Sequence, residues 1–226
     1  AFMEGLIHRK IFRKNPVLGY MHMSLAFGWF LLIVVGHFES MVAKKHVLIP
    51  MYLPVFFRYF VVGKDFHLAE FFAFIMDFLL LFVLTGLLLA IAKRFNRSLF
   101  GMKRTTRMRS GDIFALASLW LIFPLRLLAE GYSAVVHGNG GFLTSSVGSL
   151  LAGPNATALL EPAWWAYSIA LGFFFVMLPN SRYMHIPAEI LFIFVKNAGV
   201  KVKKRLNTYT NIQVFSCSRC GICLDN

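Results

Sequence analysis

The chain has 226 residues, of which 58% are hydrophobic and 25 are Phe, and its mean hydropathy is +0.66. A composition this apolar excludes a soluble domain of that length and marks an integral membrane protein. The net charge of +13 does not point to nucleic acid, because Lys and Arg gather in short clusters beside apolar runs, where they act as topology signals.

Residues 1–16 form a basic segment carrying Arg9, Lys10, Arg13 and Lys14. No secretory signal is visible: Ala1 is not an initiator Met, and no small-residue cleavage site follows the first apolar span. The protein is therefore expected to extend beyond this end.

Residues 17–195 contain four apolar runs long enough to cross a bilayer, approximately Val17 to Phe38, Leu68 to Ala92, Ile113 to Val136 and Trp164 to Tyr183. The expected fold class is all-α, a membrane bundle of four transmembrane helices. The middle loop adds Lys93, Arg94, Arg97, Lys103, Arg104, Arg107 and Arg109, and the tail adds Lys196, Lys201, Lys203, Lys204 and Arg205. These basic segments are expected to be cytoplasmic, which places both ends of the chain inside and the protein in the inner (cytoplasmic) membrane. The Gly-rich loop from His137 to Pro162 has no Lys or Arg and faces outward. So does the loop holding Lys44, Lys45, Arg58 and Lys64, whose aromatic Ile49-to-Val62 stretch is expected to lie flat at the outer interface.

Residues 196–226 read as a cytoplasmic linker and the start of a ferredoxin-like iron–sulfur segment. Cys217, Cys220 and Cys223 are the only cysteines of the chain. Three thiolates at this spacing can hold three corners of a [4Fe-4S] cluster, and the glycine after Cys220 allows a tight turn round it. The fourth ligand of the common spacing would fall at position 227, so the protein is expected to continue past Asn226. A zinc knuckle or free thiols are the alternatives, but a zinc site would need a second ligand pair nearby. A reducing cytoplasm favours cluster ligation over disulfides.

Five of the seven histidines lie at or just inside the ends of apolar runs. His22 and His37 are fifteen residues apart on the first run, ~22 Å along a helix axis, which suits two stacked haems. His185, at the inner end of the fourth run, is level with His22. A low-spin b haem takes two axial imidazoles from facing helices, and His22 and His185 supply them. At the outer edge, His37 has His67 or His137 as its candidate partner. The alternative is that histidines simply favour the interface; His8 and His46 are expected to be solvated.

Two ionisable residues lie deeper. Asp77 is ten residues from His67 and Arg126 eleven from His137, which sets both at a shared depth of ~15 to 16 Å. A lone charge there is costly, so the two are expected to pair or to bind something charged. In the functional reading Arg126 holds a haem propionate, Asp77 takes protons from a quinol, and Glu70, seven residues before Asp77, passes them outward. In the structural reading they are an ion pair beside a helix kinked at Pro124.

Gly36-His37-Phe38 and Ser181-Arg182-Tyr183-Met184-His185, with Lys93-Arg94, Thr105-Thr106-Arg107 and Gly111-Asp112-Ile113 between them, resemble motifs of the cytochrome b (gamma) subunit of respiratory nitrate reductase. Membrane subunits of heterodisulfide-reductase-type complexes share them. The resemblance covers nearly all of Val17 to Pro187 and implies His37 and His185 as haem ligands. It departs at Phe27, where the family has its inner ligand, and at Tyr167, where it has its outer one. His22 can replace the first; unless His67 or His137 replaces the second, the chain holds one b haem and not two. A cytochrome b domain leading into such a cysteine run resembles fusions to a heterodisulfide-reductase-like iron–sulfur protein.

The reading is a quinol/quinone oxidoreductase subunit that passes electrons between the quinone pool and a cytoplasmic iron–sulfur domain through b-type haem. Its expected partners are the lipid bilayer, quinone and further redox subunits or domains, with no nucleic acid. The alternative is a cofactor-free membrane anchor that docks a soluble redox partner on its basic face. A transporter would need an internal inverted repeat, and none is found.

Overall fold

A computed structural model describes residues 9–44, 65–96 and 110–199. Every regular element among them is helical. A short helix α1 (Arg9–Lys14) precedes four long ones: α2 (Pro16–Lys44), α3 (Ala69–Phe95), α4 (Ser110–His137) and α6 (Ala156–Met177). Between the last two runs α5 (Phe142–Leu151), and after two 3-10 turns, Leu178–Asn180 and Arg182–Met184, comes α7 (His185–Asn197). Four of these helices are long and apolar enough to cross a membrane. The all-α membrane helix bundle is thus what the chain forms.

Local chemistry explains the boundaries. Asn15 caps α2, its Oδ1 accepting the Leu18 N–H at 3.0 Å, and Pro16 follows at the first helical position, where no N–H is needed. On α3 Phe72, Met76, Leu80 and Val83 are buried, while Phe71, Phe74, Phe78 and Leu88 are exposed. A helix of 27 residues that is apolar on both its packed and its outward face requires lipid outside it.

Several boundaries differ from the sequence reading, α2 among them, which runs on past Phe38 to Lys44. The fourth span was expected over Trp164 to Tyr183, but α6 begins at Ala156 and ends at Met177. It begins early because the Gly153-Pro154-Asn155 turn supplies acceptors to Ala156 and Leu159. It ends early because Pro179, which has no N–H to donate, falls in the 3-10 turn that follows. His185 therefore does not continue the span; it opens α7. Likewise, the outward loop expected from His137 to Pro162 contains α5, a ten-residue helix.

The chain divides into two compact units. Of the described residues, the first comprises 9–23, 88–96, 110–118 and 172–199, and the second 24–44, 65–87 and 119–171. Within the first, Leu18, Met21, Ala115 and Phe174 are buried, and Phe114 meets Phe173 edge-on at 6.4 Å. Within the second, Leu32, Met76, Leu80 and Phe123 form part of the core, and Trp29 stands edge-on to Phe123 at 5.6 Å. Here α5 lies directly on α4: a Cβ on Gly148 would come within 2.9 Å of the Gly131 carbonyl oxygen.

Candidate functional site

In the first unit, Asp112 stands in the first turn of α4 and is buried. Its Oδ1 accepts the backbone N–H of Arg182 at 2.7 Å, and its Oδ2 lies 3.5 Å from the Arg182 guanidinium. Beside it Gly111 permits the approach, since a Cβ there would sit 2.6 Å from the Asn180 carbonyl oxygen. Arg182 in turn holds His185. Its carbonyl accepts the His185 backbone N–H and lies 2.6 Å from Nδ1. A carbonyl can only accept, so Nδ1 is the donor in this contact.

Ser181 shapes the same turn by accepting the Tyr183 N–H at 3.3 Å. The Tyr183 ring stands against Phe174 at 5.5 Å, and burial pushes its phenol above the ordinary range, with Arg182 opposing and Asp112 adding to the shift. The Gly111-Asp112-Ile113 and Ser181-to-His185 motifs, 70 residues apart in their linked members, are one structure. His22 belongs to this unit as well and is half-buried, with its Nε2 atom shielded from solvent.

This donor set fits an axial haem ligand. Such a ligand needs a neutral imidazole whose far nitrogen is fixed by a hydrogen bond, leaving the other to the metal. His185 is buried and so fixed. Among the described residues no three His, Cys, Asp or Glu side chains gather as a metal cage, which two imidazoles on a porphyrin do not require. Cys217, Cys220 and Cys223 lie outside the described residues, as do His8, His46 and the Ile49-to-Val62 stretch.

In the second unit, Asp77 is fully buried and caps α5 from another helix. Its Oδ2 accepts the N–H groups of Leu143 and Thr144 at 2.7 and 2.9 Å, and the Thr144 hydroxyl donates to it at 3.0 Å. The cap position itself is Gly141, which has no side chain to do this. It could hold none: a Cβ there would be 2.5 Å from both Asp77 Oδ2 and the Ala73 carbonyl. The Gly141 N–H donates to the Thr144 hydroxyl at 3.0 Å, closing the turn.

Arg126, expected to pair with Asp77 or to bind something charged, has Glu130 one turn further along α4 as a partner at 2.9 Å, both side chains being at most 2% exposed. The Tyr167 hydroxyl also hydrogen-bonds Arg126. The position where the resembled family has an outer haem ligand is thus occupied by a buried phenol tied to this ion pair, with Trp164 edge-on to it at 5.6 Å. Glu130 was not singled out from the sequence, although its i, i+4 spacing from Arg126 was the available signal. Glu39, two residues after His37, is buried too and was also passed over.

The remaining candidates lie at helix ends. His37 is half-buried on α2, His137 is the half-buried last residue of α4, and His67 is exposed in the turn before α3. Glu70 is exposed in the first turn of α3. Leu68, between them, has φ of 68°. No family model, curated protein or solved structure matches the chain.

Proposed function

We propose that the chain is a membrane-embedded electron-transfer module of the cytochrome b type, working between the quinone pool and a cytoplasmic iron–sulfur domain. The observation that carries this reading is the buried His185 ring, held through Nδ1 by the Arg182 carbonyl, which is how metal-ligating imidazoles are oriented. His22, in the same unit, is the second ligand. A bound b haem would supply one-electron transfer across the lipid; the protein's part is to hold and orient it.

His37, with His67 or His137, forms the outer site, and Cys217, Cys220 and Cys223 hold the cluster, with both chain ends cytoplasmic. Arg126 offers a positive charge to a propionate. Glu70 and Asp77 serve the protons of a quinol, Asp77 being the weaker candidate because the start of α5 already occupies its oxygens. A reduced-minus-oxidised optical spectrum of the purified protein tests the proposal. A b-type band that is diminished or lost in His185→Ala and His22→Ala is expected, and its absence from the unmodified protein overturns the reading.

The second reading, a cofactor-free membrane anchor, is favoured by one observation. Asp77, Arg126 and Tyr167 all have structural partners that would hold the second unit together without any cofactor. The same spectrum separates the two.

A further inference from the structure

We propose that Asp112 is the positioning residue for the His185 imidazole, acting through the Arg182 main chain. The inference rests on the haem reading, since it names what holds that ligand. Asp112 grips Arg182 at the N–H, at 2.7 Å, and at the guanidinium, at 3.5 Å. The carbonyl of that same residue takes two donors of His185, the backbone N–H and Nδ1. A carboxylate buried in the first turn of one helix thus fixes the residue on which the imidazole of another leans.

The arrangement is specific in three respects. Asp112 sits where the positive end of the α4 dipole favours a carboxylate, so it is held ready as an acceptor. Gly111 brings the α4 backbone against Asn180, where a Cβ would be only 2.6 Å from the carbonyl oxygen. With the Arg182 carbonyl pinned, the alternative His185 tautomer, which presents a lone pair at Nδ1, would set two acceptors against each other. Ring orientation and tautomer are therefore both controlled from Asp112. A carboxylate in the hydrogen-bonded chain behind the ring would favour the oxidised form of a metal held by that ring.

The test uses the full chain in detergent or nanodiscs, with Asp112→Asn, Asp112→Ala and Gly111→Ala. Asp112→Asn keeps an oxygen for the Arg182 N–H but removes the charge; it is expected to retain haem and to raise its midpoint potential. Asp112→Ala and Gly111→Ala are expected to lose haem, or to bind it with an altered low-spin signature. An unchanged potential in Asp112→Asn, together with unchanged haem content and spectrum in Asp112→Ala, overturns the proposal.

A readout free of haem separates this proposal from the reading on which it rests. Ring 15N shifts of His185 in apo-protein are expected to show Nδ1 protonated, with a tautomer mixture and faster Arg182 amide exchange in Asp112→Ala. If the tautomer and the exchange rate survive that substitution, Asp112 does not position the ring. If they change but no b-type band exists, the haem reading fails while the positioning role stands.

Discussion

Asp77 and Thr144 are joined twice, through the Thr144 N–H at 2.9 Å and its hydroxyl at 3.0 Å, so the second long helix starts a helix 67 residues further on. Losing a side-chain cap costs about 1 kcal/mol, and the buried N–H groups left behind add to that. Asp77→Ala is expected to destabilise the protein by about 2 to 3 kcal/mol. Asp77→Asn, which keeps an oxygen, is expected to cost less. Thermal unfolding in detergent measures both, and amide exchange over 142–146 should rise in the alanine variant. Equal stability of all three proteins would show that α5 does not depend on this cap.

Gly141 gives an independent test of the same junction. A methyl group there meets two oxygens at 2.5 Å, whereas one on Gly153 meets nothing within 4 Å. Gly141→Ala is expected to cost about 1 to 3 kcal/mol by forcing the helices apart, and Gly153→Ala close to nothing. Melting temperatures of the pair check this, and a Gly141→Ala protein as stable as Gly153→Ala contradicts it.

The Arg126–Glu130 pair predicts strong non-additivity. Glu130→Leu removes a carboxylate from a buried guanidinium, which costs about 3 to 5 kcal/mol, whereas replacing both partners by apolar residues is far less damaging. Arg126→Met combined with Glu130→Leu should therefore be more stable than Glu130→Leu alone. Unfolding in graded denaturant measures the cycle, and a double variant equal to the sum of its singles contradicts the coupling.

Leu68 holds a left-handed backbone with φ of 68°, a conformation that costs an L side chain about 1 to 2 kcal/mol and a glycine almost nothing. Its side chain is exposed, so little packing is lost on removal. Leu68→Gly is expected to raise stability by up to about 1 kcal/mol after the added chain entropy. A lowered melting temperature would show that the strain is not there to relieve.

Haem-to-protein stoichiometry on His67→Ala and His137→Ala decides the outer site. Loss of one haem in either names the partner of His37. No change in both variants removes these two residues from consideration.

Much of this fold was legible in the chain because lipid allows few solutions. A run such as Leu68 to Ala92 can only be a spanning helix, and α3 matches it to within a few residues. What was not legible came from short-range chemistry acting over long separations. Pro179 ends α6 well before Tyr183, and only the folded chain shows that the turn after it is moulded by Asp112. Helix α5 escaped notice because its ten residues, FLTSSVGSLL, mix serines with apolar positions, and its cap is supplied from 67 residues away. His185 was legible as a residue; the hydrogen bond that fixes its ring was not. Glu130 could have been found, since a carboxylate four places from a buried Arg is the simplest partner a helix offers.

The tethering of α5 also decides where a reporter can be attached. Gly140 and Gly141 are needed to fit against the neighbouring helices and Asp77, but residues 152–155 are exposed. An epitope or a protease site inserted at Gly153 should leave the bundle intact. Its reactivity in sealed vesicles of known sidedness would then report which face of the membrane this turn occupies, and with it the orientation of the whole chain.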